Sequence, residues 1–299
     1  MTNKTLRFAI FGNERKATEG ERIKEIFDNL LHRTAAVYIE KTFYEVLPPT
    51  LKSDPRLAGV FEDDDFKADF VISLGGDGTF LKAASKVGTK RTPIIGINLG
   101  RLGFLANVSP EELSTTLDEI YAADFDIDER ALIAVETEDG SLKGYPYALN
   151  DIAILKREDA SMISIHVSVD KEYLTTYRAD GLIISTPTGS TAYSLSNGGP
   201  IMIPRTGIMS LTPVAPHSLN IRPIVISDDT VLKLEMESRN HSFLIAIDGR
   251  AERLKEGTAL KIKKAPFKLR IVKRRNQSFF STLRTKMMWG ADMRKQELP

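Results

Sequence analysis

The first 120 residues alternate short apolar runs with amphipathic stretches of helical period. Residues 6–11 form an apolar run that stops at Gly12, as a buried strand does. Ile23, Ile26, Phe27, Leu30 and Leu31 then share one face at a spacing near 3.6 residues, which predicts a helix. Residues 35–39, 70–74 and 93–98 read as further strands. The clearest helix opens at Ser109: Ser109 can cap it, Pro110 suits the first helical position and Glu112 completes a capping box. Leu113, Leu117, Ile120 and Tyr121 form its expected buried face. Apolar strands separated by amphipathic helices predict a parallel sheet with helices on its faces.

The texture changes near residue 124. Residues 130–138, 147–155, 162–169, 182–185, 231–237, 243–247, 259–264 and 268–272 all read as strands. Residues 231–237 alternate apolar and polar side chains, the pattern of a sheet with one wet face. Residues 281–289 read as a last helix. The expected fold class is therefore α/β: a parallel-sheet α/β domain over 1–124, then a β-rich, sandwich-like domain over 125–279. The C-terminal helix, within 280–299, is expected to return to the first domain. No repeat or low-complexity linker intervenes, so the boundary falls in the short acidic connection at 124–128.

Composition narrows the chemistry. A chain of 299 residues with 42% hydrophobic and 27% charged content can bury a sizeable core, and its length favours two domains. The formal charge of +1 gives no general pull towards nucleic acid. The absence of cysteine removes disulfides, thiolate metal sites and a cysteine nucleophile. His32, His166, His217 and His241 share no ligand spacing, which argues against a transition-metal site. A polar N-terminus without a signal peptide, and no apolar run of membrane length, lead to the expectation of a cytoplasmic protein.

Four segments could carry chemistry. Gly75-Gly76-Asp77-Gly78-Thr79 follows the strand at 70–74 and opens a helical stretch. Such a turn aims backbone N–H groups and a helix dipole at an anion. Glycine is expected there for positive φ and for close approach of phosphate. A carboxylate repels phosphate, so Asp77 points to a metal ion or an attacking hydroxyl, although it could also be a plain helix cap. Asn98-Leu99-Gly100-Arg101-Leu102-Gly103-Phe104-Leu105 ends the next strand. It reads equally as a second ligand loop or as a turn stapled into the core by Leu102 and Phe104. Asn150-Asp151, in an otherwise apolar run, marks a sheet edge or a ribose-binding pair. Thr186-Pro187-Thr188-Gly189-Ser190-Thr191-Ala192-Tyr193-Ser194 offers hydroxyls for ribose and a tyrosine for an adenine base. By itself it could also be a Ser/Thr turn that caps a short helix ending at Asn197-Gly198-Gly199-Pro200.

Taken with Arg178-Ala179-Asp180-Gly181, these segments resemble, in order and spacing, NAD kinases of the bacterial type. The likeness runs from about Phe70 to Gly249. The glycine–aspartate loop alone is shared with phosphofructokinases and diacylglycerol kinases; the threonine–glycine–serine segment is more specific. The resemblance implies an α/β domain followed by a β-rich domain. It also implies transfer of phosphate from ATP, or polyphosphate, to the adenosine ribose 2′-hydroxyl of NAD, with a divalent metal, magnesium in the first place. Carried over residue by residue, Asp77 would orient that hydroxyl and accept its proton. Gly75, Gly76, Gly78 and Thr79 would line the donor phosphates, with Lys82 also counted among the cofactor-binding residues. Asn150, Asp151, Asp180, Thr188, Thr191, Ala192, Tyr193, Ser196 and Ala215 would hold the dinucleotide. Arg178 goes with a preference for NAD over NADH. Arg250 departs from the family pattern, which has glutamine after Asp-Gly. No metal ligands are assigned. A homodimer or homotetramer is implied, with no nucleic acid or membrane as partner.

Two other readings remain open from sequence. A lipid kinase could use the first loop, but the chain offers no basic amphipathic helix to reach a bilayer. A non-catalytic nucleic-acid or nucleotide binder would draw on the lysine- and arginine-rich residues 261–275. Most of these alternate with apolar residues, as on the wet face of a strand.

Overall fold

The computed structural model describes residues 5–16, 20–100, 103–157, 162–275 and 278–290. The chain divides into two compact units, one formed up to Asp128 and from Arg270 onward, the other by Glu129–Leu269.

The first unit is a parallel sheet in the order β5-β4-β1-β2-β3. Its strands are β1 (Leu6–Gly12), β2 (Ala35–Glu40), β3 (Leu57–Phe61), β4 (Phe70–Gly75) and β5 (Ile94–Asn98). The helices are α1 (Gly20–Leu31), the short α2 (Lys41–Val46) and α3 (Pro49–Lys52), α4 (Asp77–Val87) and α5 (Leu113–Tyr121). Ile23, Ile26, Phe27 and Leu30 of α1 join Phe8, Ile10, Leu113, Leu117 and Ile120 in one buried cluster. On the other face Phe11 packs edge-on against Phe61 and Phe66, so both sides of β1 are covered. The capping box at Ser109 forms, but the first turn is a 3₁₀ turn, Pro110–Glu112, before α5 begins. Tyr121 is not on the buried face; its hydroxyl reaches out to the Thr34 carbonyl at 2.9 Å.

The second unit is a two-sheet β structure. One sheet runs β13-β12-β11-β8-β15-β16, all antiparallel. Its members are β8 (Asp151–Leu155), β11 (Gly181–Ser185), β12 (Ile208–Val214), β13 (Ile224–Ser227), β15 (Ser242–Ile247) and β16 (Arg250–Lys255). The other pairs β9 (Ile163–Val169) with β10 (Glu172–Ala179) and β14 (Leu232–Glu237), and β14 with β17 (Leu260–Lys273). β6 (Asp126–Thr137) pairs with β17 and with the two-residue β7 (Tyr147–Ala148). Inward residues of both sheets, including Ile152, Ile184 and Phe243 from one and Ile165, Leu234 and Ile262 from the other, make a single core cluster. Between them lies α6 (Tyr193–Ser196) in sequence, and α7 (Phe279–Met287) closes the described chain.

Three local expectations change. The segments 259–264 and 268–272 are one strand, β17; Pro266 falls between its pairing with β14 and its pairing with β5. The run 147–155 is two strands, because the Asp248 carboxylate draws off the N–H groups of Leu149, Asn150 and Asp151 between them. Asn150-Asp151 does not mark a sheet edge: β8 sits between β11 and β15.

Candidate active site

In the first unit the chemistry gathers where the strand order reverses. β1 leads outward to β2 and β3, while β4 lies on its other side and leads to β5. Ligands of open α/β sheets bind at the carboxyl ends of strands at such a switch point. Here the Asn13 N–H donates to the Leu74 carbonyl at 2.9 Å, joining the ends of β1 and β4, and Gly75 pairs in register with Asn98 of β5. Gly75, Gly76 and Gly78 are absent from the positive-φ positions, so the expected left-handed turn is not why glycine stands there. Space is the reason. A Cβ at Gly75 would overlap the Thr79 hydroxyl, whereas nothing lies within 4 Å of a Cβ at Gly76 or Gly78. The last two leave the N-terminus of α4 open to a ligand.

Asp77 is the first residue of α4. Its Oδ1 accepts the N–H groups of Leu105 at 3.0 Å and Ala106 at 2.9 Å; Oδ2 accepts that of Phe104 at 3.0 Å. A Cβ at Gly103 would overlap this carboxylate. A carboxylate has about four acceptor positions, so one remains, on Oδ2, and Lys286 Nζ stands 3.6 Å from that oxygen. Lys82 is engaged elsewhere, with Thr42 at 3.1 Å, Glu14 at 3.4 Å and Glu40 at 3.8 Å. In the second loop Arg101 and Leu102 lie outside the described residues; Phe104 is half-buried and packs on Phe279.

In the second unit Asp248 is the organiser. It adopts a left-handed φ of 47° and its carboxylate accepts the Leu149 and Asn150 N–H groups at 2.8 Å and that of Asp151 at 3.2 Å. Asn150 is thereby held in a fixed turn, and its buried Oδ1 finds no partner among the described residues. The Asp151 carboxyl is pushed up to about 7 by burial and by the neighbouring Asp248 charge. Arg250 does not point away from this cluster: it stacks on Tyr145 at 5.4 Å and donates to the Tyr147 carbonyl at 3.0 Å.

The hydroxyl-rich run splits into two sets. Thr186 donates to the Leu149 carbonyl, Ser190 to that of Pro187 at 2.8 Å, and Ser194 meets Thr212 at 2.9 Å, all buried. These three shape the loop. Gly189 lies so close to Asn150 that a Cβ would overlap its backbone, which locks the run against the Asn150 turn. Thr188 accepts from Arg130 at 3.2 Å, while Thr191 and Ala192 are half-buried and Tyr193 and Ser196 face outward. Asp180, paired with Lys156 at 2.8 Å, lies with Arg178 at the other end of β11. Ala215, with φ 43°, follows Val214, the partner of Gly181 at that same end.

Several basic residues of 261–275 are ion-paired: Lys263 with Glu136 at 2.6 Å, Lys264 with Asp228 at 2.8 Å, Lys268 with Glu129 at 3.4 Å and Arg274 with Glu119 at 3.0 Å.

An anion-binding loop that places a carboxylate at a sheet switch point, followed by a β sandwich, belongs to a nucleotide-dependent phosphotransferase. The particular family follows from comparison: the chain belongs to the ATP-NAD kinase family, matching its N-terminal domain over residues 8–125 and its C-terminal domain over 149–274. A Bacteroides fragilis protein named NAD kinase is 53% identical over 97% of this chain and 100% of its own length. One from Porphyromonas gingivalis is 44% identical over 96% and 99%. An Archaeoglobus fulgidus NAD kinase solved in complex with ATP superposes with TM-score 0.70 at 25% identity, covering 95% of this chain and 99% of that one. A yeast NADH kinase solved with NADH shares the fold at TM-score 0.83 and 23% identity, over 99% and 91%.

Proposed function

We propose that this chain transfers the terminal phosphate of ATP to the adenosine ribose 2′-hydroxyl of NAD, giving NADP and ADP. The observation that carries the reading is Asp77, set at the N-terminus of α4 between two glycines open to a ligand, in a chain of this family. Backbone N–H groups of the loop take the donor phosphates, and the helix dipole favours their charge. The remaining position on Asp77 Oδ2 takes the hydroxyl proton late, once the alcohol oxygen has begun to bond phosphorus. Asn150, Asp151, Thr188, Thr191, Ala192, Tyr193 and Ser196 hold the dinucleotide. Arg250 acts from behind, beside Asp248 rather than on the ligand.

Among the described residues no three His, Asp or Glu side chains cluster to hold a metal ion. Magnesium suits such a site, because it is commonly held by one or two carboxylates and by the phosphates themselves. It would enter with the triphosphate and supply charge neutralisation there. ATP is preferred to polyphosphate as donor because the archaeal relative was solved with ATP. Arg178 favours NAD over NADH. The reaction is assigned to the cytoplasm, which supplies both ATP and NAD; among the described residues no helix is long and apolar enough to cross a membrane.

The test is purified protein with NAD, ATP and magnesium, with NADP read by an NADP-specific dehydrogenase. NADP should form, and Asp77→Asn should lower turnover by about 10²-fold or more, the usual share of a positioned proton acceptor. No NADP from ATP or from polyphosphate would overturn the reading.

A further inference from the structure

The C-terminal helix brings to this loop a lysine that the sequence motifs do not contain. α7 starts at Ser278, whose Oγ caps it by accepting the Ser281 N–H at 3.0 Å. Phe279, Leu283 and Lys286 follow at i, i+4 and i+7, one face of the helix. Leu283 is buried, and Phe279 packs on Phe104 at 6.3 Å between ring centroids. The face that docks on the Phe104 loop thus carries an ammonium, while Phe280, Met288 and Trp289 are left exposed.

Lys286 Nζ lies 4.6 Å above the Phe104 ring and 3.6 Å from Asp77 Oδ2. That distance is an ion pair, not a hydrogen bond, so the three N–H donors of the ammonium are not used by Asp77. The other lysines of this region are committed: Lys16 donates to the Leu99 carbonyl at 2.9 Å, and Lys82 to Thr42, near Glu14 and Glu40. Asp77, for its part, is held by three backbone amides and needs no lysine to fix it. A cation kept in place by a ring and a carboxylate, with its donors free, beside an open phosphate loop, is arranged to receive an anion.

We propose that Lys286 is a catalytic residue that binds the phosphoryl group in transfer. This rests on the phosphotransfer reading above. With ATP seated, the ammonium turns from Asp77 to the non-bridging oxygens of the terminal phosphate. The bond from phosphorus to the β–γ bridging oxygen breaks and its electron pair leaves with ADP. The bond from the ribose 2′-oxygen to phosphorus forms, and the hydroxyl proton passes to the open acceptor position on Asp77 Oδ2. One lysine would thus offset the repulsion that Asp77 exerts on phosphate.

The experiment compares the full chain with Lys286→Gln, Lys286→Met and Lys286→Arg, by steady-state kinetics, by calorimetric titration of magnesium–ATP and by thermal melting. Lys286→Met keeps an unbranched apolar stem on Phe104 if Lys286→Gln does not fold. The expected result is a fall in kcat of about 10²-fold for Gln and Met, the scale of one transition-state donor. KM for ATP should rise while KM for NAD stays within about twofold, and Arg should recover at least a tenth of the activity, because it restores the charge. Wild-type turnover with unchanged kcat and ATP affinity in Lys286→Met would overturn the role of Lys286 and leave the reaction standing. A lower melting temperature with unchanged kinetics would reduce Lys286 to a docking contact. Wild-type protein that neither binds ATP nor makes NADP would overturn both.

Discussion

Asp151 is a carboxyl group in a place that resists its charge. It is almost fully buried, it faces Asp248 across the turn, and Arg250 and Tyr145 are the charged and titratable groups behind Asp248. Burial, and then the Asp248 charge, raise it from an ordinary 3.8 to about 7. Below pH ~4 folded and unfolded chains both carry the proton. Between about 4 and 7 the unfolded chain has lost it and the folded chain keeps it, so stability falls as pH rises through that window. The slope should amount to roughly 2–4 kcal/mol in total. Melting temperatures of wild type and Asp151→Asn from pH 4.5 to 8 test this: the wild type should lose more stability towards neutrality than the variant, in which the buried Asp248 carboxyl is still raised. Equal pH profiles would mean Asp151 titrates normally. A ribose hydroxyl donates best to an ionised carboxylate, so KM for NAD should also fall as pH passes 7.

At the scale of elements, glycines divide into those that hold the fold and those that admit the ligand. Gly189 of the 3₁₀ turn Gly189–Thr191 has the Asn150 backbone against it, which cannot yield as a flexible side chain could. Gly189→Ala should cost about 1–3 kcal/mol or prevent folding. Gly78, in the first turn of α4, has open space, and alanine there should leave stability equal or slightly higher, by up to ~1 kcal/mol. That same methyl should crowd the donor phosphates and raise KM for ATP. Urea melts with ATP kinetics distinguish the pair; a Gly78→Ala protein with unaltered ATP kinetics would remove that loop from the donor site. This division also marks what the sequence could tell. The strand, loop and helix around Asp77 are contiguous, so periodicity and turn chemistry exposed them directly. Asp248 acts on residues 97 to 99 positions away, and Lys286 arrives from the far end of the chain, contacts that no local pattern encodes. The hydroxyl run was legible as a feature but not in its roles, since Thr186, Ser190 and Ser194 find their partners inside the fold. Strands β10 and β12 escaped for other reasons: β10 has few aliphatic residues to mark a buried face, and β12 contains Pro213.

At the scale of the whole molecule, the residues proposed for the dinucleotide do not all gather at one end of β11. Asp151 pairs with Ser185 at one end of β11, beside Thr186; Asp180, Arg178 and Ala215 stand at the other. At the usual rise per residue the two ends are about 15–20 Å apart. Every residue of β11 is buried, so no ligand can lie along the strand and touch both ends. If both groups serve NAD, the groups at opposite ends belong to different bound molecules, and each site is completed by a second copy, as closed symmetric assemblies allow. Light scattering should then find a dimer or tetramer. Complementation is the sharper test. Asp151→Asn and Asp180→Asn should each be weak alone, but co-expressed they should assemble sites with Asp151 from one chain and Asp180 from the other. For random dimers half the assemblies are mixed and each has one intact site, so about a quarter of wild-type activity should return. Mixed assemblies confirmed by differential tagging that show no recovery would confine each site to a single chain, and Asp180 would lose its assigned contact with NAD.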